Sequence, residues 1–538
     1  MQSTDNSTLA SRSCGLFVRT SMLAIVLLSG SLAFSAEAPA AFRVDHYSLQ
    51  FHLDPAIKFL KGSATIKLAP NRMPVAPELD LDLIDSLTVT RVSARGKTLS
   101  FTHSHDVLAI QLAPLSRFKS ATLSIDYEGT PVGDGLTFGQ HSGIPIVESY
   151  GMPSTAKQWW PCIDAPSAKA KNGMDMEITV PGGFVAASNG TLIGQRNNPD
   201  GTITFHWRER YPIYPDTVGL TVTNFKTFDL SYKGEGEKFP LRFYVFPEDL
   251  DKARKQFPVL LDMMQSHIKH FGPYPFSREK YGIAEFTRSS FREHQTLPSL
   301  GAKLITGDSS RDFVLAHDLA HQWFGNSISV KNWSDIWLNE GFATYAAALW
   351  QEDVGGTPAY QKAMKGLMRD FPGPIFIRDA TDTKQLFSAT TFRKGAWVLH
   401  MLRHVLGDDI FFKSLKAYVA KFSYSNADTG DFRAVCEQVS GQKLDWFFAE
   451  WIYGEGEPKY KLSWQTQEGS NGLALIIHLE QVQEGQAFRM PLDIGAQTSH
   501  GILHFQMDNR KREEDFSFPV SGPVTDVQLD PDGWVLHN

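Results

Sequence analysis

The sequence predicts an α+β chain in three folded parts: an antiparallel β domain, then a mainly helical domain, then a small β-sandwich. Three observations predict this. Apolar and polar residues alternate from Arg43 to about residue 229, and apolar residues recur at helical spacing from about 230 to 456. Alternation returns after the breaker cluster Gly454-Glu455-Gly456-Glu457-Pro458. At 538 residues the chain exceeds what a single core holds. Apolar content of 42% and charged content of 21% are those of an ordinary globular protein. A formal net charge of −7 argues against nucleic acid or an anionic membrane as the main partner.

Residues 1–36 read as a secretory signal peptide. Arg12 and Arg19 precede an apolar run from Ser21 to Ala36 that is bounded by small residues and too short for a comfortable membrane span. The expectation is a secreted or periplasmic protein with no membrane anchor once the leader is removed. Cys14 lies before the apolar run, so only Cys162 and Cys436 remain in the mature chain, and nothing in their placement calls for a disulfide.

Residues 37–229 form the β domain. Tyr47, Leu49, Phe51 and Leu53 alternate with polar residues, as do Leu79, Leu81 and Leu83. Residues 230–456 carry the helices. A helical stretch from Glu248 to Phe271 is interrupted by Pro258, and Tyr281 to Phe286 reads as a strand. Further helices are expected over Phe392 to Leu406, Asp409 to Phe422, Asp431 to Val439 behind a Thr429 cap, and Leu444 to Tyr453. In residues 457–538, Leu473, Leu475, Ile477 and Leu479 line one face of a strand.

The chemistry is concentrated between residues 313 and 350. His317 and His321 lie four apart in a helical run, so both imidazoles leave one face one turn apart. Glu340 follows nineteen residues after His321, in a second helical run. Two histidines and a carboxylate leave the fourth position of a tetrahedral zinc open, which is the catalytic rather than the structural arrangement. One zinc ion per chain is expected, lowering the pKa of water toward ~7 and polarising a carbonyl. Trp323, Phe324, Trp333 and Trp337 are expected to form an apolar wall.

This block resembles the HExxH-x18-E signature of the gluzincin aminopeptidases, the family of aminopeptidase N and the leukotriene hydrolase. The runs His321-Gln322-Trp323-Phe324-Gly325-Asn326 and Trp337-Leu338-Asn339-Glu340-Gly341-Phe342-Ala343 carry the likeness. The resemblance implies a thermolysin-like zinc domain, peptides or small molecules as ligands, and a family helical roof that this chain has no room for. It also implies three site positions, each altered here. The general base is Asp318 where the family has Glu, one methylene shorter. The tyrosine that donates to the developing oxyanion is replaced by Phe392, with Arg393, His294 and Tyr345 as candidate stand-ins. The loop whose Glu grips a free amine reads Ser290-Phe291-Arg292-Glu293-His294, so Glu293 keeps that role between Arg292 and His294 as further substrate-binding candidates. Losing an oxyanion donor costs about 10²–10³ in rate, and misplacing the base costs about 10². The implied function is a zinc metallopeptidase of the aminopeptidase N type with reduced or altered peptide hydrolysis. The alternatives are an inactive zinc-containing homologue that binds peptides or a partner, and a zinc hydrolase of a non-peptide bond such as an epoxide.

Overall fold

A computed structural model describes residues 42–70, 77–112, 120–151, 153–234, 236–371, 373–469 and 472–537. The signal-peptide reading and Cys14 lie outside these residues. No described helix is long and apolar enough to cross a membrane.

The alternation in the first part builds an eight-stranded sheet. Its order is Thr191–Asn197, Thr202–Glu209, Met174–Pro181, Phe42–Asp54, Phe59–Pro70, Ala121–Gly129, Leu87–Ala94 and Lys97–Thr98. Phe42–Asp54 pairs antiparallel with Phe59–Pro70 but parallel with Met174–Pro181, the one parallel pair in this sheet. Tyr47, Leu49, Phe51 and Leu53 all face inward. Trp160 packs edge-on against Tyr47 with ring centroids 4.7 Å apart, and Trp159 lies 5.2 Å from Phe51. These tryptophans therefore belong to the β-domain core. Cys162 is buried beside them and Cys436 is buried in the helical domain; both are free thiols.

The expected boundary at 229/230 falls inside the strand Lys226–Gly234, which pairs with Glu237–Val245. That hairpin joins a five-stranded sheet ordered Lys226–Gly234, Glu237–Val245, Tyr281–Phe286, Ser299–Gly301 and Phe291–Arg292. Strand texture alone does not say which sheet a strand will join. Phe291–Arg292 is one of its two edge strands, and it leads directly into the loop containing Glu293.

The helices are α1 Leu250–Gln256, α2 Val259–Phe271, α3 Asp312–Ala320, α4 Trp337–Leu367, α5 Thr383–Leu386, α6 Gly395–Leu406, α7 Asp408–Phe422, α8 Thr429–Ser440 and α9 Asp445–Phe448. Gly356 has a positive φ of 68° and kinks α4 ahead of Pro358. Thr429 is not the cap of α8. Asp428 accepts from the Asp431 amide in a capping box, while the Thr429 hydroxyl donates to Asp335 at 2.6 Å and accepts from the Trp337 indole at 2.9 Å. Asp428 is itself a strong capping residue, and the two neighbours are not separable by type alone.

Helices α4 and α6 cross where two glycines meet. A Cβ on Gly341 would sit 2.9 Å from the Gly395 Cα, so neither position has room for a side chain. The C-terminal part is a sandwich of two three-stranded sheets. Its inward residues, Leu475, Ile477 and Leu479 among them, share one core with the helical domain.

Candidate active site and metal centre

Helix α3 carries His317 in its last turn and is capped by His321, while Glu340 lies in the first turn of α4. The three side chains bring their ligand atoms within 4.8 Å of one another. His317 Nε2 and His321 Nε2 are 3.1 Å apart, and each lies 3.5 Å from Glu340 Oε2. The outer nitrogens fix the tautomers. His321 Nδ1 donates to the Phe324 carbonyl at 3.1 Å, since a carbonyl can only accept. His317 Nδ1 lies 3.3 Å from Thr344 Oγ1, whose own proton is committed to the Glu340 carbonyl at 2.7 Å. Both Nε2 lone pairs therefore converge on one point, together with a buried carboxylate oxygen that has no hydrogen-bond partner. Two imidazole nitrogens and one carboxylate oxygen so disposed fit a single zinc ion.

The electrostatics point the same way. Burial disfavours charge on His321, yet the Glu340, Glu293 and Asp318 carboxylates outweigh it and lift the imidazole to about 9. Burial also opposes charge on Glu340, but His321 and His317 hold its carboxyl below the usual range. The pocket attracts positive charge.

Two rings flank His317. Phe392 stacks on it at 5.9 Å and 15°, and Phe291 meets it edge-on at 5.2 Å. Phe392 sits in a π-helical turn, Thr390–Lys394, that leads into α6. Asp318 is fully buried, neither carboxylate oxygen has a hydrogen-bond partner, and burial pushes its pKa well above the usual range. Glu293 is half-buried, and its carbonyl accepts from Asn326 Nδ2 at 2.8 Å, tying the loop to the turn after His321.

The remaining expected residues are brought nearby but engaged otherwise. Arg292 lays its guanidinium on the Tyr150 ring, 3.9 Å from the centroid, and bonds the Tyr150 hydroxyl and the Phe291 carbonyl. Arg288 covers the same ring at 4.0 Å. His294 is buried at the domain seam, where its Nε2 accepts from the Gly151 amide and its Nδ1 meets Ser299 Oγ at 3.1 Å. Burial and Arg292 lower its pKa to about 3. Tyr345 is committed to Tyr360 at 3.0 Å. Trp323, Phe324 and Trp337 are buried in the core of the helical domain rather than walling the cleft, and Trp333 is partly buried against that core.

Some contributors went unread in the sequence. Thr344 stands four residues after Glu340 on the same helical face, so its spacing was a usable signal. Lys169 reaches from the β domain to donate to the carbonyls of Asn326 and Ser327, at 2.7 Å each. Burial lowers its pKa to about 7. A lone lysine in a loop gives no sequence signal for such a contact.

Residues 292–451 match the peptidase family M1 domain and residues 43–214 the peptidase M1 N-terminal domain. Aminopeptidase M1-D of Oryza sativa subsp. japonica is 26% identical over 443 residues, covering 77% of this chain and 50% of that protein. The leucyl aminopeptidase of Saccharolobus solfataricus is 23% identical, covering 80% and 56%. The chain thus spans about half the length of these curated relatives. Among solved structures, aminopeptidase A of Legionella pneumophila, in complex with aspartic acid, has the same fold. Its TM-score is 0.82 at 19% identity, covering 94% of this chain and 60% of that one. An M1 zinc metallopeptidase from Deinococcus radiodurans gives a TM-score of 0.67 at 26% identity, covering 78% and 95%. A variant of that metallopeptidase has been crystallised with a Tyr-Ser-Ala substrate.

Proposed function

The chain belongs to the peptidase M1 family of gluzincin aminopeptidases, and from that premise we propose that it is a zinc-dependent aminopeptidase-type hydrolase with slowed or altered peptide cleavage, working outside the cytoplasm. The observation that carries this reading is the convergence of His317, His321 and Glu340 beside Glu293 and Asp318. Zinc, when bound, supplies Lewis-acid polarisation of a carbonyl and an activated water. The chain's own residues do the rest. Glu293 attracts the free amine of a substrate and so sets which peptide bond reaches the metal ligands. Asp318 accepts the proton of the attacking water and returns it to the departing amine. Phe291 and Phe392 exclude bulk water around His317.

Peptides with a free amino terminus are the proposed substrates, in keeping with the amino acid and tripeptide bound by the structural relatives. A panel of aminoacyl fluorogenic amides, acidic, basic and apolar, assayed with zinc content measured, is the test. Turnover abolished by chelation and by His317→Ala is expected. A second reading, a cleft that binds peptides without cutting them, is favoured by one observation: Phe392 occupies the donor position and cannot donate. Peptide binding without turnover at full zinc occupancy would select it. The location outside the cytoplasm, secreted or periplasmic, rests on Arg12, Arg19 and the apolar run from Ser21 to Ala36. Mass spectrometry of protein expressed with its leader should find a mature start near residues 34–40. An intact Met1 in the cytosolic fraction would refute it.

A further inference from the structure

We propose that Tyr214 supplies the hydrogen bond to the substrate's scissile carbonyl that Phe392 cannot make. The inference rests on the hydrolase reading above, and it starts from where Tyr214 is held. Tyr214 ends an extended segment and opens the short turn Pro215–Thr217. That turn is pinned to the loop of the amine-binding carboxylate. The Gln295 amide, two residues past Glu293, donates to the Thr217 carbonyl at 3.0 Å. Asn189 Nδ2 bridges the carbonyls of Thr217 and Gln295 at 3.0 and 2.5 Å. A Cβ on Gly219 would lie 2.8 Å from the His294 ring, so the two segments are in direct contact.

On its other side, the Tyr214 ring faces Trp333, with centroids 6.5 Å apart. Trp333 begins the turn Trp333–Asp335 that leads into α4, whose first turn presents Glu340. Tyr214 is therefore bracketed by the Glu293 loop and by the approach to the metal carboxylate. It is only 3% exposed. Burial, then Glu293, Asp216 and Glu340, raise its pKa well above 10, so the phenol keeps its proton as a donor.

The chemistry of an aminoacyl group matches this bracket. Its amine nitrogen and carbonyl oxygen are three bonds apart, so an amine at Glu293 brings the carbonyl oxygen into the space between Glu293 and Glu340. When water adds to the carbonyl carbon, the π electron pair moves onto that oxygen. The water's proton passes to Asp318 and then to the amide nitrogen as the C–N bond breaks. The Tyr214 phenol donates a hydrogen bond throughout and transfers no proton. The other nearby hydroxyls and rings are placed elsewhere. Tyr345 bonds Tyr360, His294 bonds Gly151, and Tyr281 is wholly buried in its strand.

The test compares wild type with Tyr214→Phe at matched zinc content and thermal midpoint. A phosphinic dipeptide analogue, which mimics the tetrahedral state, is titrated by calorimetry alongside the free amino acid. Tyr214→Phe should weaken the analogue about 10²-fold and leave the amino acid within a few-fold. Where turnover is measurable, kcat should fall by a similar factor with little change in KM, and Phe392→Tyr in the Tyr214→Phe background should recover most of it. Equal analogue affinity in the two proteins, including no binding by either, overturns the proposal. A Tyr214-dependent affinity without turnover would sink the hydrolase reading and leave Tyr214 as a recognition group. Turnover with equal affinities would sink Tyr214 alone.

Discussion

At the scale of single residues, the proposed base Asp318 is one methylene shorter than a glutamate. Both of its oxygens are buried without partners, so no hydrogen bond aims the carboxylate. Asp318→Glu should raise kcat on aminoacyl amides by about 10²-fold, the cost expected of a base displaced by about 1 Å. A zinc-loaded variant no faster than wild type would show that reach is not what limits the reaction. His317→Ala should lower bound zinc from one equivalent to near none, read by metal analysis after dialysis, because two ligands do not hold the ion. The histidine pair was legible in the sequence because helical spacing fixes which side chains share a face, and Glu340 through the resemblance to the family signature. Arg292 was not, since whether a residue in an extended segment faces the cleft depends on register. In the structure its guanidinium lies on Tyr150, about 140 positions earlier in the chain, and no local pattern encodes that contact.

Elements, rather than residues, decide whether the ligands meet at all. Glu340 stands beside Gly341, where α4 crosses α6 at Gly395 without intervening side chains. Gly395→Ala should cost about 1–3 kcal/mol of stability by overpacking, seen in urea unfolding, and should weaken zinc retention as α4 is displaced. Full zinc affinity in a destabilised variant would mean that the crossing sets stability but not the site. Element type was largely readable: α2, α7 and the strand Tyr281–Phe286 lie where their periodicity put them. Sheet membership was not, because the strand Lys226–Gly234 looks like those before it yet pairs with Glu237–Val245. A strand's partner is chosen by tertiary packing, not by its own sequence.

Across the whole molecule, the helical domain and the C-terminal sandwich are joined by an oriented chain of hydrogen bonds. His400 Nε2 must donate to the Gly533 carbonyl at 2.9 Å, so its Nδ1 accepts from Tyr360 at 2.6 Å, and Tyr345 in turn donates to Tyr360. Trp534 stacks on the His400 ring at 4.7 Å. Burial lowers the His400 pKa from 6.5 to about 4. Below pH 6.5 the unfolded chain takes up a proton that the folded one refuses, so this group's contribution to stability is lost as pH falls from 6.5 toward 4. Urea titrations at several pH values should show wild type losing up to about 1.4 kcal/mol more per pH unit in this window than His400→Gln. Parallel pH profiles would remove His400 from the acid response. The Lys169 ammonium bears on a different property of the assembly, the lifetime of the metal. It straps the carbonyls of Asn326 and Ser327, five and six residues after His321, to the β domain, while Asn326 also holds the Glu293 loop. The turn that follows both histidines is thereby anchored in another domain. A bound ion is therefore expected to escape more slowly while that seam holds, so that its dwell time would be set in part well outside the coordination sphere.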